Sequence, residues 1–253
     1  MDKLDLWKKA LSLRKQFGVD ETSPIDIFAN TYAIEHLSLV FYPMGERLSG
    51  MCVKGSGNNV VAINSSMTTG RQRFSLAHEL FHLFYDDEQL TAICAKKIGG
   101  GSHKEMEADQ FASYLLMPPN ALSDLIQQIR NIEKKPDYKL LVKDIVRIEQ
   151  HFKISRQAVL YRLIGENELT LHEAEPMRQN VILSANCMGY DDTLYKPTPT
   201  EKQYGTYGYY IQQVDKALEQ GLISNGKYEE LLLSAFRSDL VYGNDTEGGE
   251  VLD

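Results

Sequence analysis

Two histidines four residues apart, with a glutamate directly after the first, stand in "FSLAHELFHLF", residues 74–84. On a helix, His78 and His82 share a face with Cβ atoms ~5–6 Å apart. Both imidazoles can then reach one metal ion at ~2.0–2.1 Å. Glu79 lies ~100° further around the helix, so its carboxylate falls beside the metal, within reach of a water bound there. Phe74, Leu76, Ala77, Leu80, Phe81, Leu83 and Phe84 occupy nearly the whole circumference, the pattern of a buried helix. Buried His and Glu are costly unless they are paired or bind a metal. One metal on both imidazoles, with Glu79 serving its water, accounts for all three groups. The bland alternative is a pair of core histidines satisfied by backbone carbonyls.

A catalytic zinc usually has three protein ligands and one open position. The next cluster of donors is "HKEMEAD", residues 103–109. Glu105 and Asp109 are four apart and share a helix face, whereas Glu107 points ~160–200° away from both. Ala108, Phe111, Ala112, Leu115 and Leu116 mark the side toward the core, and Asp109 adjoins that stripe. A pair at this spacing can divide the work, one carboxylate binding metal and the other orienting a metal-bound histidine. Glu105 is thus the favoured third ligand and Asp109 the orienting group, with Glu107 as the alternative ligand.

These residues need elements to hold them. The zinc helix is expected from about Thr69 to Tyr85, and a second helix over 103–117, stopped by Pro118-Pro119. Upstream, residues 4–17 read as a helix closed by Gly18, and "TSPIDIFANTYAIEHL" as another, capped by Ser23 with Pro24 in its first turn. Residues 37–44, 48–55 and 58–65 read as strands, the last two joined as a hairpin through Gly55, Gly57 and Asn58. The third strand leads directly into the zinc helix, so an extended peptide could pair with its edge. Residues 120–165 are expected to be mostly helical, with breaks near Pro136 and "FKIS".

The expected fold is α+β: a small antiparallel sheet packed on a helical core, with a helical C-terminal extension. The first domain, which holds the candidate metal site, spans about 1–175. Residues 176–207, rich in Pro, Gly and Tyr toward their end, read as a linker or extended arm. Residues 208–242 read as a helical hairpin, with helices at about 208–220 and 226–240, and 243–253 as a mobile acidic tail.

Composition bounds the function. The 253 residues are 43% hydrophobic and 25% charged, enough for one or two domains with a real core. No apolar run approaches the ~20 residues of a membrane span. The N-terminus reads as an amphipathic helix rather than a signal peptide. Cys52, Cys94 and Cys187 are odd in number and widely spaced, which makes neither a disulfide framework nor a Cys-x-x-Cys knuckle. A reducing cytoplasm is the expected compartment. The net charge of −8 argues against broad nucleic-acid affinity.

"KDIVRIEQHFKISRQAVLYRLIGEN" (143–167) tempts a different reading. Ser155 can cap a second helix offering Arg156, Gln157, Tyr161 and Arg162, the layout of a DNA-recognition helix within a helix-turn-helix-like segment at about 140–165. Val146, Ile148, Phe152, Ile154, Ala158, Val159 and Leu163 equally form a plain core stripe, and the charge favours that reading. Trp7 is expected to be a packing residue.

"RQRFSLAHELFHLF" followed by "EMEADQFASYLLMP" resembles the ImmA/IrrE family of zinc metallopeptidases. The His-Glu-x-x-His core is common to many zinc proteases, and the second element is far more specific. The resemblance implies a zincin-like core, Zn2+ bound by His78, His82 and Glu105, and Glu79 as the catalytic glutamate. It also implies a bacterial protein associated with phages or mobile elements. The implied substrate is a helix-turn-helix repressor encoded nearby. His103, His151, His172 and several tyrosines are open candidates for oxyanion stabilisation. The competing expectation is a non-enzymatic metal-binding regulator that acts by binding a partner protein or DNA.

Overall fold

The computed structural model describes residues 2–86, 91–95 and 98–243. Helix α1 (Lys3–Gln16) starts at Asp2, whose carboxylate accepts from the Leu4 and Asp5 amides, and buries Leu6, Ala10 and Leu13 at helical spacing. Helix α2 (Ile27–Tyr32) is shorter than expected, and Asp26 caps it rather than Ser23. The Ser23 hydroxyl instead donates to Asp20 Oδ2 at 2.6 Å, which fixes an earlier turn.

Strands β1 (Leu37–Tyr42), β2 (Leu48–Lys54) and β3 (Asn59–Asn64) form where alternation and turn residues placed them, and β2–β3 is the expected hairpin. Strand β4 (Thr91–Ala95) and strand β5 (Gly205–Gly208) complete one sheet, of order β4-β2-β3-β1-β5. The pairing is antiparallel except between β1 and β3, which run parallel. One expectation is overturned by this order. Strand β3 lies between β2 and β1, so both of its edges are already paired and it offers no edge to a peptide.

Helix α3 (Thr69–Tyr85) packs across β2 and β3, and α4 (His103–Leu116) packs against α3 and α1. Buried Arg14 fixes the far end of α4, donating to Leu115 O at 2.6 Å and to the carbonyls of Asp20 and Ser23. Helices α5 (Pro119–Glu133), α6 (Val142–Phe152) and α7 (Arg156–Gly165) follow, with left-handed residues Lys134 and Lys153 ending the first two. Trp7 is partly buried against the core.

The α6–α7 pair has the helix-turn-helix outline, and Ser155 caps α7. The two arginines of α7 face inward, however: Arg156 is 3% and Arg162 1% exposed. Arg156 pairs with Glu149 and donates to Met177 O. Arg162 lies 4.3 Å over the Tyr114 ring and donates to Ser113 Oγ. Both bind this helix to its own domain.

Residues 176–207 carry short helical turns, a helix α9 (Val181–Asn186) after the single turn α8 (Leu171–Ala174), and a crossing over the start of α3. There Thr69 N donates to Lys196 O at 2.8 Å, and the buried Tyr195 hydroxyl donates to Glu149 at 2.7 Å. Helices α10 (Tyr209–Glu219) and α11 (Asn225–Ser234) follow and pack against each other. Residues 226–240 are not one helix: Phe236, at φ 59°, breaks the run before α12 (Ser238–Tyr242). No helix among the described residues is long and apolar enough to cross a membrane. The tail from residue 244 lies outside the described residues.

Candidate active site

The α3 stripe fixes the centre. Leu76, Ala77, Leu80 and Phe81 are wholly buried, and they drag His78, Glu79 and His82 inward to 7%, 0% and 2% exposure. One turn of helix separates the rings, and their Nε2 atoms lie 3.3 Å apart. Helix α4 supplies the third group. Glu105 sits with Oε2 at 3.3 Å from His78 Nε2 and Oε1 at 3.3 Å from His82 Nε2. Ligands ~2.0–2.1 Å from a tetrahedral centre are themselves ~3.3–3.4 Å apart. All three separations here match that spacing, so these donors fit a metal ion.

The outer nitrogens are fixed as well. His78 Nδ1 lies 2.8 Å from Asp109 Oδ1, and His82 Nδ1 lies 3.0 Å from Asp86 Oδ2. An ionised carboxylate only accepts, so each Nδ1 carries a hydrogen, and each ring points its Nε2 inward, the atom that would bind a metal once it carries no proton. Asp109 is held in turn by the Gly99 amide, at 2.5 Å from Oδ2. Gly99 has φ 77°, and a Cβ there would lie 2.9 Å from the Tyr161 ring. Glu107 faces elsewhere, 3.6 Å from His103 and 3.9 Å from Lys104. The structure thus brings Glu105 and Asp109 to the histidines and leaves Glu107 outside. His103, His151 and His172 are exposed on α4, α6 and α8.

Glu79 is the anomalous group. It is wholly buried, and neither carboxylate oxygen has a hydrogen-bond partner of ordinary geometry among the described residues. It reaches β2 at Gly50, where an added Cβ would lie 2.8 Å from its Oε1. Burial pushes its pKa up to about 7, against the opposing pull of His78 and a contact with the Cys94 thiol. A carboxyl with this pKa exchanges a proton readily near neutrality. For His78, burial opposes the charge, but the bonds to Asp109 and then Glu105 prevail and raise it to about 9. Glu105 is lowered to about 2 by its bonds to His78 and His82.

Two residues escaped the sequence reading. Asp86 ends α3 four residues beyond His82, a spacing that was available as a signal. Cys94 lies on β4 and is wholly buried. Its Sγ is 4.0 Å from Glu105 Oε1. One donor atom each from His78, His82, Cys94 and Glu105 all fall within 4.8 Å of one another. Burial, then Glu79 and Glu105, raise the Cys94 thiol well above its ordinary pKa.

A mixed sheet backed by a helix with two inward imidazoles, a carboxylate from the next helix and a buried free acid is the arrangement of a metallopeptidase. The family model described as Peptidase_M78, IrrE N-terminal-like domain, matches residues 22–164, more than half of the chain, and the protein belongs to that family. It is also similar to the "Radiation response metalloprotease IrrE" of Deinococcus deserti, 31% identical over 114 residues, which are 40% of this chain and 36% of the relative. The match therefore spans little more than a third of that curated relative's length.

Proposed function

We propose that this protein is a zinc-dependent endopeptidase that hydrolyses a peptide bond in one specific protein, a helix-turn-helix transcriptional repressor encoded nearby. The observation that carries the reading is the set of 3.3 Å separations among His78, His82 and Glu105, with the orphaned carboxylate of Glu79 beside them.

His78, His82 and Glu105 would hold the ion. When bound, zinc supplies Lewis acidity, polarising a scissile carbonyl and acidifying a water. Asp109 and Asp86 keep the two rings in the tautomer and orientation that ligation needs. Glu79 accepts the proton of the attacking water at its carboxylate and returns it to the departing amine. Its pKa, lifted by burial to about 7, suits both halves of that exchange. The apolar wall of α3 excludes bulk water, which strengthens each electrostatic contact.

The test is Glu79→Gln, assayed on the helix-turn-helix regulator encoded nearest to it. The amide keeps the shape of the site and cannot take a proton. Cleavage should fall by ~10²–10⁴-fold while metal stays bound. Cleavage at the wild-type rate by Glu79→Gln overturns the reading. A regulator that acts only by binding its partner or DNA would be indifferent to this substitution.

A further inference from the structure

We infer that the Cys94 thiolate is the fourth ligand of this metal centre, so that the resting site is four-coordinate and closed. The inference rests on the metal reading above and assigns the state of that same site.

The placement follows from the sheet. Strand β4 pairs antiparallel with β2, with Cys94 opposite Gly50. Cross-strand partners point to the same face, so the thiol emerges on the side where Gly50 admits Glu79. Residues Ala92 and Cys94, two apart on that strand, are both buried there. The thiol therefore meets the centre next to Glu79, where a catalytic site keeps its open position.

The chemistry fits. Thiolate, imidazole and carboxylate are the three zinc donors of proteins, and four of them make a tetrahedral site with no vacancy. A sulfur at ~2.3 Å and an oxygen at ~2.0–2.2 Å from one tetrahedral centre are ~3.6 Å apart. The Cys94–Glu105 separation of 4.0 Å is within half an ångström of that value. Three of the four donors are buried, His78, His82 and Cys94 at 7%, 2% and 0% exposure, and the Glu105 side chain, 26% exposed, is the one side open to solvent. Hydrolysis then requires Cys94 to leave the position. Strand β4 is an edge strand of the described sheet, paired to β2 alone, so it can shift without breaking the pairings of the other strands.

The experiment is cobalt substitution of the full chain, read by absorption rather than by activity. Metal-free wild type loaded with Co2+ should show the visible bands of a four-coordinate ion and an intense thiolate-to-cobalt charge-transfer band in the near ultraviolet. Cys94→Ser and Cys94→Ala should each keep the visible bands and lose the charge-transfer band. Cys52→Ser and Cys187→Ser should keep both. Added acetohydroxamate should shift the visible bands of the Cys94 variants and leave wild type unchanged. Cobalt bound without a charge-transfer band, or a band that follows another cysteine, overturns the inference and leaves the metal reading standing. Equal response of wild type and Cys94→Ser to acetohydroxamate overturns the closed state. Failure of wild type to bind cobalt at all overturns both readings together.

Discussion

His78 Nδ1 and Asp109 Oδ1 are 2.8 Å apart, and this one contact couples the two helices that build the site. Asp109 also binds the Gly99 amide, so the carboxylate is itself fixed before it fixes the ring. Replacing it by alanine should leave the ligands in place but free His78 to rotate. Metal affinity should fall by ~10–100-fold, measured by competition with a chromophoric chelator. Unchanged affinity would show that the ring is oriented by something else.

Protons compete with metal at this centre. In the metal-free protein His78 stays protonated up to about 9, so uptake below that pH must expel a proton from its imidazole. Apparent affinity should therefore rise with pH by at least one order of magnitude per unit below pH ~9, and more steeply where the Cys94 thiol also gives up its proton to the metal. Titration of metal-free protein at pH ~7 and ~8.5 checks the slope. A flat profile would mean that His78 binds metal without losing a proton.

Gly50 is where the sheet makes room for Glu79. In Gly50→Ala the new methyl would lie 2.8 Å from Glu79 Oε1 and 3.0 Å from the Ala62 carbonyl oxygen, and the second contact is with backbone that cannot swing aside. The variant should lose ~1–3 kcal/mol of stability by overpacking and lose cleavage activity while binding metal. Chemical denaturation and elemental analysis read the two effects separately. Full activity would place Glu79 outside the reaction.

The buried Arg156–Glu149 pair ties the end of α6 to the start of α7. Glu149→Ala strands a guanidinium that is 3% exposed, and should cost ~3–5 kcal/mol in denaturation. Replacing both residues by well-packed apolar ones should cost much less. If the single substitution is silent, Arg156 is satisfied by Met177 O and Ser184 Oγ alone.

How far the sequence was legible depends on whether the cause was local. Helix α3 is bounded at Thr69 and Tyr85 as read, because its apolar circumference is a property of contiguous residues. Glu105 and Asp109 share a face through helix geometry alone, and the structure sets both beside His78. The sheet was less legible. Strand β1 crosses to pair parallel with β3, and β5 joins from more than 160 residues away to pair with β1. No short-range pattern encodes that order, so the free edge expected on β3 was misplaced. Cys94 was passed over for the same reason. Its neighbours in sequence hold no other zinc donor at knuckle spacing, and only the β2–β4 pairing carries it to the histidines. Ser23 was misread because Asp20 captures its hydroxyl, a competition between two equally local turns.

The central claim is that His78, His82 and Glu105 hold one zinc ion. Elemental analysis of the purified wild type, His82→Ala, Glu105→Ala and Glu107→Ala tests it most directly. The account predicts about one zinc per chain in wild type and in Glu107→Ala, with zinc lost from His82→Ala and Glu105→Ala. Wild type without tightly bound metal, or Glu105→Ala that keeps zinc while Glu107→Ala loses it, would contradict the account.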